Sequence, residues 1–245
     1  PADEQRLQPW RLMDGLNPRA LYVTPSHQFP LGGVMPASRR AAVIRYAREQ
    51  GLYVIEDDYD SEFRYAGSPV APLCALDPQR VAYVGTFSKT MFPALRIGFA
   101  VLPQALQQGY SERRQYTDVQ NSPFEQAALA ALMRSRALDR HIHRMKKLYA
   151  ARREALLAAL SAAFGDRALA CGDATGLHVT VDFPGRAFNE SFYQRCREAG
   201  VRVTPLETYA IVKGAHTGAL VLGYGHLTPE AIAQGIKLLA AVIDP

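Results

Sequence analysis

At 245 residues, 48% hydrophobic and 21% charged, the chain has the composition of a globular protein with room for a substantial core and two domains. Its formal charge of +5 comes from 28 Lys and Arg against 23 Asp and Glu, with the basic residues scattered along the chain. That is the pattern of a solvated mixed-charge surface rather than of a nucleic-acid face. Cys74, Cys171 and Cys196 include no close pair and no metal-type spacing, which predicts reduced thiols in a cytoplasmic protein. Residues 1–15 (PADEQRLQPWRLMDG) are polar, unlike a signal peptide, and no apolar run is long enough to span a membrane.

Residues 20–24 (ALYVT) read as a buried strand. Ser38 is placed to cap a helix running to Glu49, with Gly51 positioned to stop it. Strands follow at 53–56 (YVIE), 81–85 (VAYVG) and 96–102 (RIGFAVL), so the first half predicts an α/β sheet that is at least partly parallel. Residues 123–164 are helical and rich in Ala and Leu, with a break near Arg136 and a long helix over 138–164. Beyond it the pattern predicts a strand at 177–181, a helix at 189–198, strands at 201–204 and 219–223, and a final helix at 229–243, together a smaller α+β domain. The run 145–153 (MKKLYAARR) reads as an exposed helix face, and Arg39 with Arg40 as a solvated helix end.

Ligands of open α/β sheets sit beyond the strand ends, and two polar clusters stand there. The first is Gly85-Thr86-Phe87-Ser88-Lys89. Taken alone, the segment reads as a surface turn with a solvated lysine. An unpaired buried ammonium is costly, however, whereas a lysine can be held covalently as an imine. Thr86 and Ser88 offer hydroxyls to an anion, and Arg96 follows seven residues after Lys89. The second cluster, Glu56-Asp57-Asp58-Tyr59-Asp60, packs four carboxylates into five residues. Their repulsion calls for a cation or hydrogen bonds. A pyridinium nitrogen would serve, with the tyrosine hydroxyl on the ring oxygen; a magnesium site or an acidic rim are the alternatives.

Three segments, TPSHQFPLG (24–32), IEDDYDSEFRY (55–65) and GTFSKTMFPALRIGF (85–99), occur in the order and at about the spacing found in MocR-type regulators of the GntR family. Nearly the whole chain resembles the C-terminal domain of those proteins, itself similar to a fold-type I aminotransferase. The resemblance implies an α/β fold. Residues 1–140 would be part of an aminotransferase class I-like large domain with a mostly parallel sheet, and residues 141–245, long helix included, a smaller α+β domain. It also implies pyridoxal 5'-phosphate as cofactor, with Lys89 as its Schiff-base lysine, Asp57 on the ring nitrogen and Tyr59 near the ring hydroxyl. Thr86, Arg96 and Ser88 resemble phosphate ligands. His27, within the QFP motif, would approach cofactor or effector, or shape its loop.

Two departures separate the chain from catalytic aminotransferases. Phe29-Pro30-Leu31-Gly32 stands where those enzymes have Asn-Pro-x-Gly, and residues 219–225 lack the arginine that grips a substrate carboxylate. The expected function is therefore an effector-sensing domain of a transcriptional regulator, responding to a small amine or amino-acid-like effector and forming a homodimer. At most partial transamination is expected. A true aminotransferase, with Lys89 as general acid and base, is the alternative, and a dimerisation scaffold a third reading. The regulators begin with a winged helix-turn-helix, through which DNA would be bound. The chain opens directly on the approach to the strand at 20, so it is expected to be a C-terminal fragment that binds the cofactor weakly or not at all. His141 and His143, at i and i+2 of a helix, do not share a face for metal binding. His178 is expected in the core or at the ligand cleft.

Overall fold

The computed structural model describes residues 2–3, 6–7, 18–68, 70–117, 120–172 and 174–244, so most of the polar stretch 1–15 lies outside the described residues. The chain forms two compact units: 1–28, 34–62 and 67–143 make the first, and 29–33, 63–66 and 144–245 the second.

The first unit opens on a two-residue antiparallel pair, β1 (Ala2–Asp3) and β2 (Arg6–Leu7). Its main sheet has the order β3 (Ala20–Val23), β4 (Tyr53–Asp58), β5 (Val81–Thr86), β6 (Gly98–Val101). The first three strands run parallel and β6 pairs antiparallel with β5. Alternation puts Leu21, Val23, Val54 and Val81 on one face, where they form a core with Val43, Ile44 and Ala47 of helix α1 (Ala37–Glu49). Leu73 of the short helix α2 (Leu73–Leu76) completes it. Helix α3 (Gln104–Thr117) buries no residue and α4 (Pro123–Arg134) buries only Leu129. Helix α5 (Ala137–Phe164) follows Arg136, whose left-handed backbone (φ 57°) makes the break after α4.

Three local expectations are corrected. Ser38 does not cap α1; it lies inside the helix, Pro36 holds the cap position, and no side chain caps it. Arg39 and Arg40 are buried, not solvated. The expected strand 201–204 shrinks to the two-residue β9 (Thr204–Pro205), because only Thr204 and Pro205 find partners on the neighbouring strand.

In the second unit an antiparallel sheet has the order β7 (Leu169–Cys171), β8 (His178–Asp182), β10 (Ala219–Gly223), β9. Its inner face, Val179, Val181 and Leu220, packs with Leu156, Leu160 and Phe164 of α5 and with Phe192 and Cys196 of α6 (Glu190–Glu198). Ile232, Ile236, Leu239 and Ile243 join them from α7 (Pro229–Ile243), spaced as one face of a helix requires. Asn189 caps α6 by accepting the Phe192 N–H at 3.0 Å, and Thr228 caps α7 through Ala231 N–H at 3.2 Å. Gly32 and Gly172 meet backbone to backbone: a Cβ on Gly32 would lie 2.6 Å from the Gly172 Cα, so neither position admits a side chain. Cys74, Cys171 and Cys196 form no disulfide. Among the described residues no helix is long and apolar enough to cross a membrane.

Candidate functional site

The site is built on the strand ends of the first unit. In β4 the residues alternate between faces, so the acidic run is divided. Glu56 points into the α1 side, where it is fully buried. There it accepts the N–H groups of Leu73 and Cys74, each at 2.9 Å, and pairs with Arg40 at 3.5 Å. Burial still pushes its carboxyl above the usual range, against the lowering pull of those N–H groups and of Arg40. Asp58 shares that face and accepts hydrogen bonds from Tyr83 at 2.6 Å and Ser61 at 2.8 Å. Asp57 lies on the opposite face, bonded by the hydroxyl of Tyr22 from the neighbouring strand. Burial, then the bond to Asp57, raise the Tyr22 phenol to about 12.

Beyond the end of β4, Asp60 and Tyr59 turn towards the loop after β3. Asp60 and His27, both almost fully buried, meet at 2.8 Å between Oδ2 and Nδ1. The Tyr59 hydroxyl donates to the His27 carbonyl at 3.0 Å and lies 3.2 Å from the same Nδ1. Burial raises the Tyr59 phenol, and the charges of Asp60, Asp57 and Asp58 add to the effect. Burial also raises the Asp60 carboxyl, opposed by His27 and by the charge of Lys89.

At the end of β5, Thr86 lies on the same sheet face as Asp57, since Val84 is the register partner of Asp57. The Thr86 hydroxyl donates to Ser88 Oγ at 3.0 Å and accepts the Ser88 N–H at 3.1 Å, folding the chain into the turn that carries Lys89. Lys89 is exposed. The turn is fixed behind it by Thr90, which is buried and whose carbonyl lies 3.0 Å from His141 Nε2 of α5. Arg96 is exposed and left-handed (φ 53°) just before β6. A Phe87 N–H to Ile97 carbonyl bond at 3.1 Å brings its neighbour against the same turn.

The structure thus groups Asp57, Tyr59, Thr86, Ser88 and Lys89 at the ends of adjacent strands, with Arg96 one strand further. His27 lies beside them, its imidazole already engaged by Asp60. The sequence did not single out Asp60 or Tyr22 as supports; period-two alternation along β3 and β4 is the signal that could have found Tyr22. The donor set suits a pyridoxal phosphate: one amine, one carboxylate on an open face, one phenol, and hydroxyls with a guanidinium for an anion. Among the described residues no cluster of His, Cys, Asp and Glu is arranged to hold a metal ion.

The family model for class I and II aminotransferases matches residues 14–237. The chain belongs to that family. Its fold follows solved members closely: the α-aminoadipate aminotransferase LysN of Thermus thermophilus, with a bound phosphopyridoxyl-leucine, superposes with a TM-score of 0.89 at 26% identity, covering 99% of this chain and 64% of that one. Kynurenine aminotransferase of Pyrococcus horikoshii gives a TM-score of 0.89 at 28% identity, over 99% and 62%. Among curated proteins, the HTH-type transcriptional regulator YhdI of Bacillus subtilis is 37% identical over 94% of this chain and 49% of its own length. The pyridoxine biosynthesis regulator PdxR of Corynebacterium glutamicum is 36% identical over 92% and 48%. The chain spans about half the length of the curated regulators it matches.

Proposed function

We propose that the chain is the effector-sensing, pyridoxal-phosphate-binding part of a transcriptional regulator. The observation that carries this reading is the gathering of Asp57, Tyr59, Thr86 and Lys89 at the ends of β4 and β5 in a chain whose relatives at 34–37% identity are regulators. Pyridoxal phosphate, when bound, supplies an aldehyde that condenses with an amine and a ring that draws electrons from it. Lys89 would hold the aldehyde carbon. Asp57, on the open face of the sheet, would set its negative charge against the ring nitrogen and keep that nitrogen protonated. Tyr59 would meet the ring oxygen, and Thr86, Ser88 and Arg96 would hold the phosphate.

The ligand sensed is a small amine or amino-acid-like molecule that competes with Lys89 for the aldehyde. The stretch where aminotransferases carry a carboxylate-gripping arginine is here the apolar β10, with Ala219, Leu220 and Val221 buried. That supports sensing over turnover. DNA would be bound by a part of the regulator outside this chain, two copies would pair, and the location would be cytoplasmic. Catalytic transamination is the second reading, favoured by the likeness to LysN.

Titrating the purified chain with pyridoxal phosphate tests the proposal: a visible absorption band should grow to saturation, and an amine effector should shift it without steady keto-acid production. Sustained amino-group transfer from an amino acid to a keto acid would replace the regulator reading with the enzymatic one; no band at any cofactor concentration would remove the cofactor from this chain by itself, as expected of a fragment.

A further inference from the structure

Two groups compete for one atom beside the proposed cofactor site. An imidazole nitrogen has a single in-plane position, which holds either its hydrogen or its lone pair. At His27 Nδ1 that position is taken by Asp60 Oδ2 at 2.8 Å, whichever of the two carries the proton. The Tyr59 oxygen lies only 3.2 Å from the same nitrogen, within reach of an O–H···N bond. With the position occupied, the Tyr59 hydroxyl donates instead to the His27 carbonyl at 3.0 Å. Were Asp60 absent, a neutral imidazole would offer Nδ1 as an acceptor and capture that proton, because an imidazole nitrogen is a more basic acceptor than an amide oxygen.

Placing Asp60 there costs something. It is 2% exposed, burial raises its carboxyl, and among the described residues its Oδ1 accepts no hydrogen bond. A buried carboxylate with one oxygen left unbonded is destabilising, which points to a role other than holding the fold. We propose that Asp60 and His27 are positioning residues: Asp60 occupies His27 Nδ1 and so keeps the Tyr59 hydroxyl proton available to a ligand oxygen, rather than trapped on the imidazole. This rests on the assignment of Tyr59 to the cofactor's ring oxygen. Asp57, Asp58 and Lys89, whose charges act on Tyr59 or Asp60, are the same in every variant considered below.

The test compares two substitutions that remove the same charge. In D60N the carboxamide still donates to Nδ1; in D60L the side chain at position 60 cannot. Two readouts are taken. One is the 13Cζ resonance of Tyr59 in the cofactor-free chain, identified by its loss in Y59F. The other is the pH midpoint of the bound cofactor's visible band. A phenol donating to the ring oxygen withdraws charge from it and lowers the basicity of the attached nitrogen, so losing that donation raises the midpoint.

D60L is expected to move the Tyr59 resonance and to raise the midpoint by about one unit over D60N, towards Y59F. The double variant D60L/H27L, which has no imidazole to capture the proton, should return both readouts to their D60N positions. D60A takes the place of D60L if the larger residue does not fold. Equal readouts in D60L and D60N, or a double variant that stays with D60L, would overturn the proposal. A chain that shows the resonance changes but never binds cofactor would leave the relay standing and remove the cofactor reading, so the two failures are distinct.

Discussion

Glu56 and Asp57 are neighbours in one strand, yet they belong to opposite faces of the sheet and to different kinds of chemistry. On the α1 side Glu56 is sealed in, with two backbone N–H donors and the Arg40 guanidinium. Arg40 in turn donates to the carbonyls of Met35 at 3.1 Å, and of Ala71 and Pro25 at 3.0 Å. That network ties the loop after β3, helix α1 and the segment before α2 to the middle strand. On the other face Asp57 has the hydroxyl of Tyr22, which is 63% exposed. An acidic run that looks from the sequence like a single charged patch is therefore two systems. One carboxylate is sealed into a network that ties the unit together, and the next lies half-buried on the opposite face beside an exposed tyrosine.

The largest effect expected from this division comes from Arg40. R40M leaves Glu56 buried without its cation and removes one hydrogen bond from each of three carbonyls, and should cost about 3–5 kcal/mol in denaturant unfolding. A loss under 1 kcal/mol would mean that the pair is not structural. Y83F, which deletes the hydrogen bond to Asp58, should cost about 1.5–3 kcal/mol in the same measurement. D57N, on the open face, should stay within about 0.5 kcal/mol of wild type while abolishing or strongly weakening the visible cofactor band. If stability fell as far as in R40M, the two faces would not be functionally distinct.

The smallest effect is a pH dependence at Tyr22. Its phenol is raised from the usual 10.0 to about 12 in the folded chain. Because the folded value lies above the unfolded one, its contribution to stability is fully present below about pH 10. It is lost as the pH rises through about 12. The stability difference between wild type and Y22F should therefore be constant at neutral pH and vanish over that alkaline window. Persistence of the difference through the window would contradict the assigned bond to Asp57.

How much of this was legible in the sequence varies with the range of the interaction concerned. Strand β10 and helix α7 stand where the hydrophobic pattern put them, because both bury residues at their own natural period. Lys89 and Asp57 were proposed from local motifs, and both stand at or just beyond the strand ends where those motifs lie. Helix α3 was missed: with no buried residue it has no apolar face to reveal it. Arg39 and Arg40 read as a solvated helix end, since their burial depends on partners far along the chain, Ala71 and Glu56 for Arg40. The His27–Asp60 contact joins residues 33 apart and depends on where two loops end, so neither motif alone predicts it.

The central claim is that Lys89 is the residue that takes the cofactor. Borohydride reduction of the chain incubated with pyridoxal phosphate, followed by peptide mass mapping, tests it most directly. One phosphopyridoxyl adduct per chain is expected, on Lys89, absent in K89A and strongly reduced in D57N. Adducts spread over Lys146, Lys147, Lys213 and Lys237, at a level unchanged by K89A, would contradict it.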